Sequence, residues 1–219
     1  MRVAILGGTG DIGEGLALRW AKDTDHEILV GSRDTARARD AAAAYLSELE
    51  DRGIDAAVAG FANAEAAARA DAVVLAVPPY YVADTIETIA DRIDDAILIS
   101  PAVGLGRDES GFHHDPPPVG SVTAHAARTA PEGVPVVGTF HNLPAARLAD
   151  LDADLGLDTP VVGEDPATET VTELVNAIEG LRGVDAGGIG NAPEAEGMVP
   201  LLLNVAANEG LDDIGIAFR

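Results

Sequence analysis

The chain predicts an α/β fold: a Rossmann-like, doubly wound parallel sheet, followed by a small C-terminal α/β domain. Three observations predict it. Short, nearly continuous apolar runs alternate with Ala-rich segments of helical period, the pattern of parallel strands covered on both faces. The first apolar run breaks into Gly8-x-Gly10-x-x-Gly13 as a helix opens. Finally, 219 residues with 47% hydrophobic content suffice for one such sheet and a small appendage.

The elements follow in order. Strands are expected near Val3–Leu6, Glu27–Val30, Ala56–Ala59, Ala72–Val77 and Ala96–Ser100. Helices are expected near Ile12–Lys22, Thr35–Arg52, Ala64–Arg69 and Val82–Ile93. Arg107 to Gly120 is polar and proline-rich and reads as a loop. A short helix (Ser121–Thr129) and a strand (Val134–Gly138) continue the alternation. Beyond them come a strand at Pro160–Val162, a helix at Ala167–Glu179, a glycine-rich loop and a helix at Pro193–Asn208. The last helix carries Met198–Ala206, apolar nearly all round, and is expected both in the core and at a dimer contact. The division expected is 1–142 for a dinucleotide-binding domain and 143–219 for the smaller domain.

Each motif glycine has a physical reason. Gly8 permits a tight turn, Gly10 lets backbone approach a pyrophosphate, and Gly13 lets the helix pack close to the strand. The helix N-terminus then offers free N–H groups and a partial positive charge to phosphates. NAD-binding chains place a carboxylate at the end of the second strand, about 20 residues on, for the ribose 2′-OH. Here Gly31, Ser32 and Arg33 stand there, and Arg37 follows one helical turn later. A hydroxyl and two guanidinium groups suit a 2′-phosphate, so NADP is expected rather than NAD. Val77, Pro78, Pro79 and Tyr80, and the segment Ser100–Gly104, follow the fourth and fifth strands. They should border the nicotinamide half, because ligands of open α/β sheets sit outside the carboxyl ends of strands.

Composition narrows the function. The formal net charge of −23 disfavours nucleic acid and anionic membranes as partners. There is no cysteine, and therefore no disulfide or Cys-ligated metal. His113, His114 and Asp115 suggest a metal site, but adjacent residues of an extended segment point to opposite sides, so none is expected. No basic–apolar leader opens the sequence and no apolar run approaches the ~18 residues of a membrane span, so a soluble cytoplasmic protein is expected. Lys22 is the sole lysine. Acidity with lysine depletion points to work in concentrated salt, where screening relieves self-repulsion.

Several segments together resemble one family. GGTGDIGEGLALRWA, HEILVGSR, LAVPP, SPAV, FHNLPAARLADLD, GLRGVDAG and PLLLNV…GIAF resemble, in order, the F420-dependent NADP reductases of archaea, from Met1 to Phe218. The resemblance implies an NADP-binding Rossmann domain, a small C-terminal domain, and coenzyme F420 bound in the cleft between them. It implies Thr9, Gly10, Asp11 and Ile12 at the pyrophosphate and Ser32, Arg33 and Arg37 at the 2′-phosphate. It also implies Val77, Ala102 and Ala145 along the nicotinamide and deazaflavin, with Asn204 nearby. A halophilic archaeal source would explain the acidity. The family often has Asn where Asp11 stands, and a carboxylate beside pyrophosphate is unfavourable unless it caps the helix and turns away.

The reaction implied is reversible hydride transfer between reduced F420 and NADP. The cofactors carry that chemistry, so no catalytic acid or base is required. His141 is the candidate hydrogen-bonding neighbour of the deazaflavin. Two alternatives remain. An NADPH-dependent reductase of a ketone, imine or ferric chelate should offer a placed proton donor, yet Lys22 lies in the first helix. A non-catalytic NADP-sensing regulator would bind NADP without turnover.

Overall fold

A computed structural model describes residues 1–93 and 95–219. Six strands form one all-parallel sheet: β1 (Arg2–Leu6), β2 (Glu27–Ser32), β3 (Val58–Ala62), β4 (Ala72–Leu75), β5 (Ile97–Ser100) and β8 (Val136–Gly138). Their order is β3-β2-β1-β4-β5-β8. The chain therefore reverses direction across the sheet between β1 and β4, the switch point at which such sheets bind ligands. Central strands are buried on both faces, as in β1, where Val3 to Leu6 are all fully buried.

Helices α1 (Asp11–Asp23), α2 (Thr35–Asp51), α3 (Asn63–Ala67), α4 (Val82–Ile89) and α5 (Val122–Thr129) connect these strands. A short helix α6 (Ala145–Ala149) follows β8. Then β9 (Leu157–Val161) and β10 (Leu181–Asp185) pair in parallel around helix α7 (Ala167–Asn176). An antiparallel bridge, Gly138 with Val162, ties this smaller sheet to β8. Helix α8 (Ala192–Glu209) comes last. Among the described residues no helix is long and apolar enough to cross a membrane.

Three expectations need correction. The segment from Arg107 to Gly120 is not all loop: β6 (Leu105–Asp108) and β7 (Gly111–His114) form an antiparallel hairpin. Its strands are too short to show alternation. The glycine-rich stretch after α7 holds β10, whose Gly183 interrupts the apolar pattern. Helix α8 is not buried in the core along Met198–Ala206. Ala192, Ala195, Glu196 and Pro200 face inward, while Leu201 is 62% exposed and Val205 36%. The boundaries of β3, β9 and several helices also shift by a few residues.

Candidate functional site: a cleft at the switch point

The glycine turn after β1 is built by close approach. The positive φ belongs to Gly7 (+82°), one residue before the motif, where a Cβ would lie 2.2 Å from the Ala76 carbonyl oxygen. Gly13 presses on the turn itself, since its Cβ would meet the Gly8 Cα at 2.7 Å. Gly10 faces open space, its nearest neighbour being the Gly7 oxygen at 3.4 Å. The buried Tyr45 hydroxyl, from α2, donates to the Gly8 carbonyl at 2.8 Å and pins the turn. Burial raises the Tyr45 pKa, so the phenol keeps the proton it donates.

Gly10 is the N-cap of α1, and no side chain caps the helix. Among the described residues, the amides of Thr9, Asp11 and Ile12 donate to no protein acceptor. They are the free donors that an anion would take. Asp11 sits at the first helical position, exposed, and lines the cleft. It does not cap the helix, contrary to the condition under which a carboxylate would be tolerated there.

The cleft, of about 330 Å³, opens over the carboxyl ends of β1, β4 and β5. Eight residues expected from the sequence line it together: Gly10, Asp11, Ile12, Val77, Pro78, Pro101, Ala102 and Ala145. Ala76 completes the lining, so among the described residues Asp11 is its single titratable group. Pro79 and Tyr80, also expected there, are not in the lining; Tyr80 is 73% exposed and packs on Tyr81.

Thr9, Ser32, Arg33 and Arg37 lie outside that lining. Thr9 is in the glycine turn. Ser32 ends β2, the strand beside β1, and Arg33 and Arg37 flank the start of α2. The Ser32 Oγ accepts from the Asp34 amide at 3.1 Å, leaving its own proton to donate. The Asp34 carboxylate caps α2 by accepting from the amides of Ala36 (2.9 Å) and Arg37 (3.5 Å). Among the described residues neither arginine has an ion-pair partner, so both guanidinium groups are free for an anion.

Two candidates fall away from the cleft. His141 is 6% exposed, with Nε2 3.4 Å from the Thr123 hydroxyl. Burial pushes its pKa down to about 4; the nearby Ser100 backbone offsets part of this, although Nδ1 makes no hydrogen bond of ordinary geometry. It is a neutral core residue rather than part of the cleft lining. Asn204 spends its side chain on the hairpin, accepting from the Phe112 amide and donating to the Phe112 carbonyl, each at 2.8 Å. Lys22, as expected, is remote, paired with Asp23 and Glu179 at the far end of α1. His113 pairs with Asp108 at 2.9 Å, and His114 faces the buried Glu196 at 3.6 Å.

Sequence reasoning missed Arg19. It is 2% exposed and donates to the backbone carbonyls of Leu148 (2.9 Å), Arg147 (3.2 Å) and Ala153 (2.9 Å), and also to that of Asp150. It thereby fixes α6, whose first residue, Ala145, forms one wall of the cleft. The apolar face of α1 gives no sign of this, because the partners lie far along the chain.

A family profile described as NADP oxidoreductase, coenzyme F420-dependent, matches residues 2–104. The F420-dependent NADP reductase of Methanocaldococcus jannaschii is 36% identical over 94% of this chain and 92% of its own length. The chain belongs to the F420-dependent NADP reductase family. The reductase of that name from Methanothermobacter thermautotrophicus is 36% identical over 99% of this chain and 94% of its own. A crystal structure from Arthrobacter sp. FB24, provisionally named an F420-dependent NADP-reductase, superposes with a TM-score of 0.80 at 25% identity, covering 100% of this chain and 99% of that one.

Proposed function

We propose that this chain transfers a hydride reversibly between reduced coenzyme F420 and NADP. The observation that carries the reading is a cleft at the switch point with free helix-start amides at one end and small, mostly apolar residues along the rest. The two substrates supply the chemistry between the nicotinamide C4 and the deazaflavin C5. The protein's share is to bind, orient and dry the reacting rings. The amides of Thr9, Asp11 and Ile12 hold the pyrophosphate, and Gly10 lets it approach. Ser32 donates its proton to the 2′-phosphate, and Arg33 and Arg37 neutralise it. Val77, Ala102 and Ala145 present flat apolar surface where larger side chains would fill the space.

Residues 1–142 act as the NADP domain in this reading, and 143–219 as the part that closes the cleft. The exposed Leu201 and Val205 on α8 suit an isologous contact with a second copy. We infer a homodimer, which sedimentation in molar salt would refute by returning a monomer. Two soluble substrates accord with a cytoplasmic setting.

The test is a hydride-transfer assay in molar salt with reduced F420 and NADP, following the absorbance of oxidised F420. Turnover should favour NADP over NAD. Arg33→Ala should lower kcat/KM for NADP about tenfold or more, the worth of a charge-assisted hydrogen bond. NADPH binding without turnover would exclude hydride transfer to F420.

A further inference from the structure

Arg33 is held by an aromatic ring that neither the glycine motif nor the second strand would single out. Its guanidinium carbon lies 5.1 Å above the centroid of the Tyr81 ring. The two residues come from different connections, Arg33 from the end of β2 and Tyr81 from the turn after β4. Those strands flank β1, so the pair lies beside the glycine turn. The Tyr81 turn is stiff. Pro78 and Pro79 fix two successive φ angles, and the Tyr81 amide donates to the Pro78 carbonyl at 2.8 Å. Tyr80 packs on Tyr81 with ring centroids 4.5 Å apart.

We propose that Tyr81 is a positioning residue for Arg33 and, through it, sets the preference for NADP over NAD. The ring contacts the guanidinium without accepting its hydrogen bonds, and no carboxylate pairs with it among the described residues, so its N–H groups stay available for a phosphate. A free arginine side chain samples many rotamers and loses that freedom on binding. One already held over a ring loses less, and so binds the 2′-phosphate more tightly for the same contacts. The neighbouring Asp34 does not compete, because its carboxylate is engaged by the α2 amides. This proposal rests on the assignment of Arg33 to the 2′-phosphate.

The experiment compares kcat/KM for NADP and for NAD, with reduced F420, in Tyr81→Ala, Tyr81→Phe, Arg33→Ala and the Arg33→Ala/Tyr81→Ala double variant. At 39% exposure Tyr81 can be truncated without emptying the core. The expected result is a loss of about two- to fivefold with NADP in Tyr81→Ala, the strength of an exposed cation–π contact. No change should appear with NAD, the ring alone should suffice in Tyr81→Phe, and Tyr81→Ala should add no loss once Arg33 is gone. Equal losses with NADP and NAD, or a further loss in the Arg33→Ala background, would overturn the proposal and assign Tyr81 to the shared part of the dinucleotide. An unchanged NADP-to-NAD ratio in Tyr81→Ala, with Arg33→Ala still impaired, would overturn it alone. An unchanged ratio in Arg33→Ala would overturn both it and the assignment beneath it.

Discussion

Among the described residues that line the cleft, Asp11 carries a charge that opposes the ligand. It stands exposed among donors that favour an anion, and no side chain neutralises it among the described residues. Two like charges about 4 Å apart in water repel by roughly 1 kcal/mol. Asp11→Asn is therefore expected to tighten NADP binding about two- to fivefold at low ionic strength, with the gain shrinking in molar salt as the repulsion is screened. Titration calorimetry at the two salt levels checks this; an equal gain at both would mean that the carboxylate acts through shape or hydrogen bonding instead. At this scale Gly8 and Gly13 were legible, because each is demanded by a local close approach that leaves a spacing in the sequence, whereas Gly10 has only the Gly7 oxygen near it, at 3.4 Å. The same spacing argument puts Ser32, Arg33 and Arg37 at the end of β2 and the start of α2, and that is where the structure has them. Arg19, Tyr45 and Tyr81 were not legible, since each is defined by a partner on a remote segment. His141 misled: a histidine beside a predicted cleft reads as a ligand neighbour, whereas burial leaves it neutral against Thr123.

Among the elements, α6 and α1 show how a wall of the cleft is held. Gly15 on α1 admits the Leu148 side chain so closely that a Cβ there would lie 2.8 Å from it. One turn on, Arg19 ties down the carbonyls at the end of α6. Burial lowers the Arg19 pKa, and Asp23 and Asp150 offset part of that cost, so the side chain stays charged at any pH of interest. Arg19→Met keeps the apolar stem but leaves those acceptors unpaired in a buried place. The expected loss is about 2–3 kcal/mol of stability, measured as a lower denaturant midpoint at unchanged slope. Hydride transfer should fall as well, because Ala145 would no longer be fixed; full activity at saturating substrates would show that α6 holds its place without the arginine. The sheet was readable because doubly covered strands give continuous apolar runs. The β6–β7 hairpin and β10 were not, since four- and five-residue strands with glycine or charge in them carry no clear period. The core half of the expectation for Met198–Ala206 fails, with Leu201 and Val205 exposed, because an apolar helix has the same sequence pattern in a core and at a dimer contact.

For the whole molecule, the governing quantity is the net charge of −23. Folding brings these carboxylates closer together than in the extended chain, so self-repulsion acts against the compact state. The ion pairs cannot offset it, since most are exposed and such pairs contribute at most about 1 kcal/mol each. Salt can: the screening length falls from about 30 Å at 0.01 M to about 3 Å at 1 M, from roughly the span of a small domain to less than the spacing of neighbouring charges. The melting temperature is therefore expected to climb steeply in potassium chloride up to about 1 M and then level off. Sulfate offers the discriminating comparison, because it also strengthens apolar burial by being excluded from the surface, an effect that keeps growing with concentration. A rise seen in both salts at matched ionic strength assigns the low-salt instability to charge. A melting temperature that stays flat in chloride and rises only in sulfate would remove the electrostatic account, and with it the inference that this acidic surface is an adaptation to concentrated salt.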